Sequence, residues 1–116
     1  MKLTPIEYAS WVFGGRAELA QAIGIQRGTM NVWDAHYGIP AKRQRQLLSI
    51  AKSAGLDLTA EHLINGGDIP YEITTTREGE WGTLHCNGLE HRYRIGDAKS
   101  LAYARAMILR LLRQSL

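Results

Sequence analysis

Apolar residues recur at helical spacing from Ile6 to Ile64, alternate with polar ones between Tyr71 and Ile95, and return to helical spacing after Asp97. These changes of period divide the chain into a helical domain, residues 1–66, and a βββα unit, residues 67–116. The expected fold class is α+β: a mainly α N-terminal five-helix bundle, then a small three-stranded antiparallel sheet with a C-terminal helix.

Start and stop signals place the helices. Thr4, Pro5 and Glu7 read as an N-cap, a first-turn proline and the far side of a capping box. The helix they open runs to Phe13, turning Ile6, Ala9, Val12 and Phe13 inward with Tyr8 and Trp11 nearer its edges, and Gly14-Gly15 stops it. After a turn at Tyr37-Gly38-Ile39-Pro40, a helix over Ala41–Ala54 presents Leu47, Leu48, Ile50, Ala51 and Ala54 to a core, and Gly55 ends it. Thr59 caps a last short helix through Ile64 before Asn65-Gly66-Gly67 breaks the chain.

Between these elements lies Arg16–Ala35, RAELAQAIGIQRGTMNVWDA, which has the spacing of a helix-turn-helix. Ala20 is small where two helices must cross, and Gly24 stands where the chain reverses with a positive φ. Leu19, Ile23, Ile25, Met30 and Trp33 fall inward. The second helix then shows Gln26, Arg27, Gly28, Asn31 and Val32 outward, residue types that read base edges in a major groove. Gln26 and Arg27 open that helix, and Val32 suits a thymine methyl group. Gly28 either admits close approach of the backbone to DNA or is a tolerated helix interior. Thr29 either holds a phosphate or caps the helix locally, and His36 either touches a phosphate or complements the helix C-terminus. Lys42, Arg43 and Arg45 either clamp the phosphate backbone or form a solvated face. Trp11 and Trp33 have the inward spacing of core residues rather than stacking platforms. An ordinary helical hairpin is the plainer alternative, but the very short turn and the lack of Glu/Lys pairs on the outward face argue against it.

This region resembles the Cro and repressor type of helix-turn-helix found in phages and mobile elements, in particular its small YdaS-type subgroup. Phe13-Gly14-Gly15 precede the motif, and Ile39-Pro40-Ala41-Lys42-Arg43 follow it where that subgroup has an IPA-x-R pattern. The resemblance ends near Asn65. It implies a sequence-specific double-stranded-DNA-binding transcriptional regulator, a repressor rather than an activator. Proteins of this size bind as two-fold dimers, because one recognition helix reads too few base pairs to be selective alone.

In the second part, Tyr71–Thr76, Trp81–Cys86 and Leu89–Ile95 read as strands joined by Arg77-Glu78-Gly79-Glu80 and by the two-residue hairpin signal Asn87-Gly88. That second turn opposes Cys86 to Leu89, Leu84 to His91 and Gly82 to Tyr93 on an apolar face shared with Ile95. The other face pairs His85 with Glu90, Thr83 with Arg92 and Trp81 with Arg94. A helix from Asp97, its N-cap, to about Gln114 covers the sheet with Leu101, Ala104, Ile108 and Leu112. Met107, Leu109 and Leu111 widen that stripe past what one small sheet needs, which suits either dimerisation or packing against the N-terminal bundle. Three strands and a helix are also the layout of sheet-type DNA readers such as integrase arm-binding domains, with Trp81, Arg92 and Arg94 as the contacting surface. Glu72, Glu78, Glu80 and Glu90 share or border that surface and argue against it, and Trp81 over Arg94 reads as a cation–π pair. A competing class is a protein-interaction module, such as an antitoxin or inhibitor, whose C-terminal half binds a protein partner.

Composition narrows this little. The formal charge of +3 is spread over both parts, compatible with a polyanionic partner without requiring one. A single cysteine, Cys86, excludes an intramolecular disulfide and fits a reducing cytoplasm. No apolar run approaches the ~20 residues needed to span a bilayer, and MKLTPIEYAS lacks the apolar stretch of a signal peptide, so a cytoplasmic protein without a membrane partner is expected. The hairpin register turns His85 away from Cys86 and His91, and the glycines form neither a phosphate loop nor a nucleophile elbow. No catalytic residue, metal or cofactor is expected.

Overall fold

The computed structural model describes residues 1–33 and 38–116. They form two compact units, Lys2–Ile69 and Pro70–Leu116, the second including Met1. The class is α+β, with helices in the first unit and a three-stranded antiparallel sheet followed by one helix in the second.

In the first unit, β1 (Lys2–Leu3) precedes α1 (Pro5–Phe13), α2 (Arg16–Ile23), α3 (Arg27–Val32), α4 (Ala41–Ala54) and α5 (Ala60–Asn65), and β2 (Gly67–Asp68) closes it. The capping box at α1 forms as its residues demand. Thr4 Oγ1 accepts from the Glu7 amide at 3.2 Å, and the Thr4 amide donates to Glu7 Oε1 at 3.0 Å. At α5 the same device uses His62 instead of an acid, its Nδ1 accepting from the Thr59 amide at 3.1 Å. The core gathers Ile6, Ala9, Val12, Leu19, Ala20, Ile23, Met30, Trp33, Ile39, Leu47, Ala51, Leu58 and Leu63, with Trp11, Phe13, Leu48 and Ile50 packed against it.

The bundle departs from five comparable helices. The pieces α3 and α5 run only six residues each, too short to persist without the packing around them. Ala54 is exposed because α4 ends just beyond the core.

Two corrections concern the edges of this unit. Lys2–Leu3 pairs antiparallel with Gly67–Asp68, so those last residues belong to the first unit and the division falls after Ile69 rather than after Gly66. Gly66 and Gly67 are required by this close pairing and do not simply break the chain. At Gly66 (φ 80°) a side chain would collide with the Leu3 carbonyl, and at Gly67 it would enter the Tyr8 ring.

In the second unit β3 (Thr74–Glu78), β4 (Trp81–Cys86) and β5 (Leu89–Arg94) lie in that order, and α6 (Ala98–Gln114) follows. Asn87-Gly88 turns with both φ values positive, 52° and 84°, and sets the β4–β5 register Cys86↔Leu89, Leu84↔His91 and Gly82↔Tyr93, as expected. The first strand is shifted from its expected place. Glu78 pairs with Trp81 around a two-residue Gly79-Glu80 turn, so β3 extends to Glu78, and Tyr71–Ile73 lies outside the ladder. Asp97 Oδ1 caps α6 by accepting from the Lys99 and Ser100 amides at 3.0 and 3.1 Å. The helix buries Ala104, Ile108, Leu109 and Leu112, while Leu101 is exposed.

Candidate nucleic-acid interface

The turn between α2 and α3 follows from Gly24. With φ at 69° it ends α2, and the Ile25 amide reaches back to the Ala20 carbonyl at 3.0 Å. Gln26 is extended and starts α3 without a side-chain cap. Within this short helix the two sides differ sharply. Met30 is fully buried and Trp33 is 8% exposed, whereas Gln26, Arg27, Gly28, Thr29, Asn31 and Val32 are all exposed, Val32 by 46%. The expected outward residues therefore form one continuous ridge, and the two inward ones anchor it. A side chain at Gly28 would meet nothing within 4 Å, so no packing demand accounts for a glycine there.

Sequence reasoning missed one contact on this ridge. The Arg16 guanidinium, at the start of α2, donates from Nη2 to Asn31 Oδ1. Arg16 and Asn31 lie fifteen positions apart, and no periodicity connects them. His36, expected near a phosphate, lies outside the described residues.

At α4 the three basic residues separate into two roles. Lys42 and Arg45 are exposed. Arg43 is half-buried and turned inward: its Nη1 donates to Gln46 Oε1 at 2.8 Å and to the Ile23 carbonyl at 3.4 Å. Gln46 Nε2 donates to the same carbonyl at 3.3 Å. The pair thus satisfies an acceptor at the C-terminal end of α2, where helix carbonyls lack intrahelical partners. Placing Arg43 on a solvated or phosphate-facing surface needs this correction, since the Arg43–Gln46 spacing of one helical turn permits their contact but does not point to the Ile23 carbonyl.

On the open face of the sheet, Trp81 is 43% exposed. Its cation–π partner is Arg92, 4.8 Å from the ring centroid and diagonal to it, rather than the directly opposed Arg94. Arg94 turns to Glu80, 3.7 Å away. His85 lies between Thr76 Oγ1 at 2.7 Å and Glu90 Oε1 at 3.2 Å, while Cys86 is buried on the opposite face. Burial pushes the Cys86 thiol up, the Glu72 carboxylate adds to this, and the N-terminal ammonium opposes it. Among the described residues no three His, Cys, Asp or Glu side chains converge as metal ligands.

Of the residues expected at a dimer interface, Leu109 is buried within the chain and is not available. Met107 and Leu111 are half-buried, and Tyr103, one turn before Met107, is 61% exposed. Among the described residues no helix is long and apolar enough to cross a membrane. No protein-family model, no curated protein and no solved structure matches this chain.

Proposed function

We propose that this chain is a sequence-specific double-stranded-DNA-binding regulator in which α2 and α3 act as a helix-turn-helix of the Cro and repressor type. The observation that carries the proposal is the contrast along α3, where Met30 and Trp33 are buried and Gln26, Arg27, Gly28, Asn31 and Val32 form an exposed ridge. Arg27 has the fork that fits guanine, Gln26 the amide that fits adenine, and Val32 a methyl surface for thymine. Lys42 and Arg45 supply phosphate contacts and with them salt-dependent affinity, Thr29 adds a hydroxyl beside the ridge, and Arg43 holds α2 and α4 in register. Repression follows from operator occupancy, which the resemblance to the YdaS-type subgroup implies.

Binding is by a dimer in this proposal. The surface that fits is the stripe Tyr103, Met107 and Leu111, spaced four residues apart and flanking the buried stripe of α6. The test is a titration of the protein onto the DNA flanking its own gene. Selective binding by the native chain and its loss in Arg27→Ala support the proposal. Equal binding to flanking and unrelated DNA contradicts it.

A second reading, a module that binds a protein partner, is favoured by the exposed apolar residues Leu101 (40%) and Tyr103 (61%). Loss of both self-association and operator binding in Leu101→Ser with Tyr103→Ser supports the dimer, whereas unchanged self-association and operator binding leaves those residues to a protein partner.

A further inference from the structure

We propose that Arg16 sets the base preference of Asn31, converting a side chain that ordinarily suits adenine into one that selects guanine; this deepens the DNA-binding reading and rests on it. Asparagine pairs bidentately with adenine by accepting from the N6 amino group while donating to N7. Both poles of its amide are needed. In this chain the acceptor pole is engaged, because the Arg16 guanidinium donates to Asn31 Oδ1. The assignment of oxygen and nitrogen follows from chemistry. A guanidinium has five donors and no acceptor, so only the amide oxygen can face it.

The consequence lies in what the pair offers to a base edge. Nδ2 carries two N–H donors and belongs to an exposed residue on the α3 ridge. The carbonyl oxygen retains a second lone pair, but the positively charged guanidinium beside it is entirely donor. An adenine amino group approaching that oxygen competes with the guanidinium for it and is repelled by its positive charge. Guanine presents O6 and N7, two acceptors and no donor, on its major-groove edge. The Arg16–Asn31 pair therefore offers a base edge mainly donors, and guanine is the base that fits it best. The charge-assisted bond also favours one orientation of the amide before DNA arrives. Arg16 acts as a positioning residue in this arrangement, through Asn31.

The experiment is selection from a pool of randomised duplexes by the full-length protein and three variants, each checked for a native thermal melt. Asn31→Ala identifies the position that Asn31 reads, as the one whose preference disappears. At that position the native chain is expected to select guanine, and Arg16→Met to shift the preference towards adenine by about fivefold or more, the lower end of what one bidentate pair discriminates. Asn31→Asp keeps an oxygen for Arg16 and replaces the outward donor by an acceptor, so it is expected to exchange guanine for cytosine, whose N4 amino group donates. Adenine at that position in the native chain, an unchanged preference in Arg16→Met, or no position responding to Asn31→Ala overturns the proposal while leaving DNA binding intact. Failure of the native chain to enrich any sequence overturns the DNA-binding reading and this proposal with it.

Discussion

The ring of Tyr93 lies across Gly82 on the neighbouring strand, so closely that a methyl group at position 82 would sit 2.3 Å from Tyr93 Cζ. The two residues are directly opposed in the β4–β5 ladder, and Tyr93 is 5% exposed, so the ring fills the surface that the glycine leaves open. Gly82→Ala is expected to destabilise the protein by about 1–3 kcal/mol through overpacking. In a Tyr93→Leu background the same substitution should lose most of its effect, because the clash is with the ring. Urea unfolding of the four proteins of this cycle measures the coupling.

Gly28 is expected to respond in the opposite direction. It lies inside α3 with open space where a Cβ would stand. Replacement by alanine removes the entropic penalty of a helical glycine, and Gly28→Ala should raise stability by about 0.5–1 kcal/mol. The added methyl stands on the ridge assigned to the groove, so affinity for the selected duplex should fall. A thermal melt and a DNA titration of one variant give both signs.

The basic residues of α4 should separate by assay. Arg43→Met removes one of the two side-chain donors to the Ile23 carbonyl and strips Gln46 Oε1 of its donor, so it should lower stability by about 1–2 kcal/mol. Lys42→Ala and Arg45→Ala should leave the melt unchanged and each reduce the salt slope of DNA binding by about 1. Salt titrations of affinity beside thermal melts measure both effects.

Cys86 makes stability depend on alkaline pH. Its thiol is raised above the ordinary 9.0, first by burial and then by the Glu72 carboxylate. The folded state therefore holds the proton more tightly than the unfolded state. This contribution is fully present below the unfolded value and is lost as pH rises through the folded one. Urea midpoints across the alkaline range should decline more steeply for the native chain than for Cys86→Ala. The slope is the readout, since removing a buried thiol also lowers the midpoint at neutral pH.

Much of this architecture is legible where a local signal decides it. Thr4 and Glu7 place the start of α1, and Asn87-Gly88 sets the entire β4–β5 register, because a two-residue turn leaves no freedom of pairing. Signals that depend on distant partners were not legible. The pairing of Lys2–Leu3 with Gly67–Asp68 involves two residues a side, too few to show any period. Arg43 and Arg16 look like surface cations in a list of residue types, and only the arrival of Ile23 and Asn31 beside them assigns their roles. Leu109 has the spacing of an edge residue on α6 yet is buried, because periodicity measures direction around a helix and not the depth of what packs there. On the sheet, the diagonal reach of Arg92 to Trp81 overrides the directly opposed pair, as long side chains allow.

The most direct test of the DNA-binding proposal is to map backbone amide shifts by NMR while the full-length protein is titrated with a duplex enriched from a random pool. The largest changes should fall on Arg16, on Gln26 to Val32, and on Lys42 and Arg45, and Arg27→Ala should suppress them. Changes confined to the sheet face around Trp81, Arg92 and Arg94, with α3 unmoved, would contradict the account.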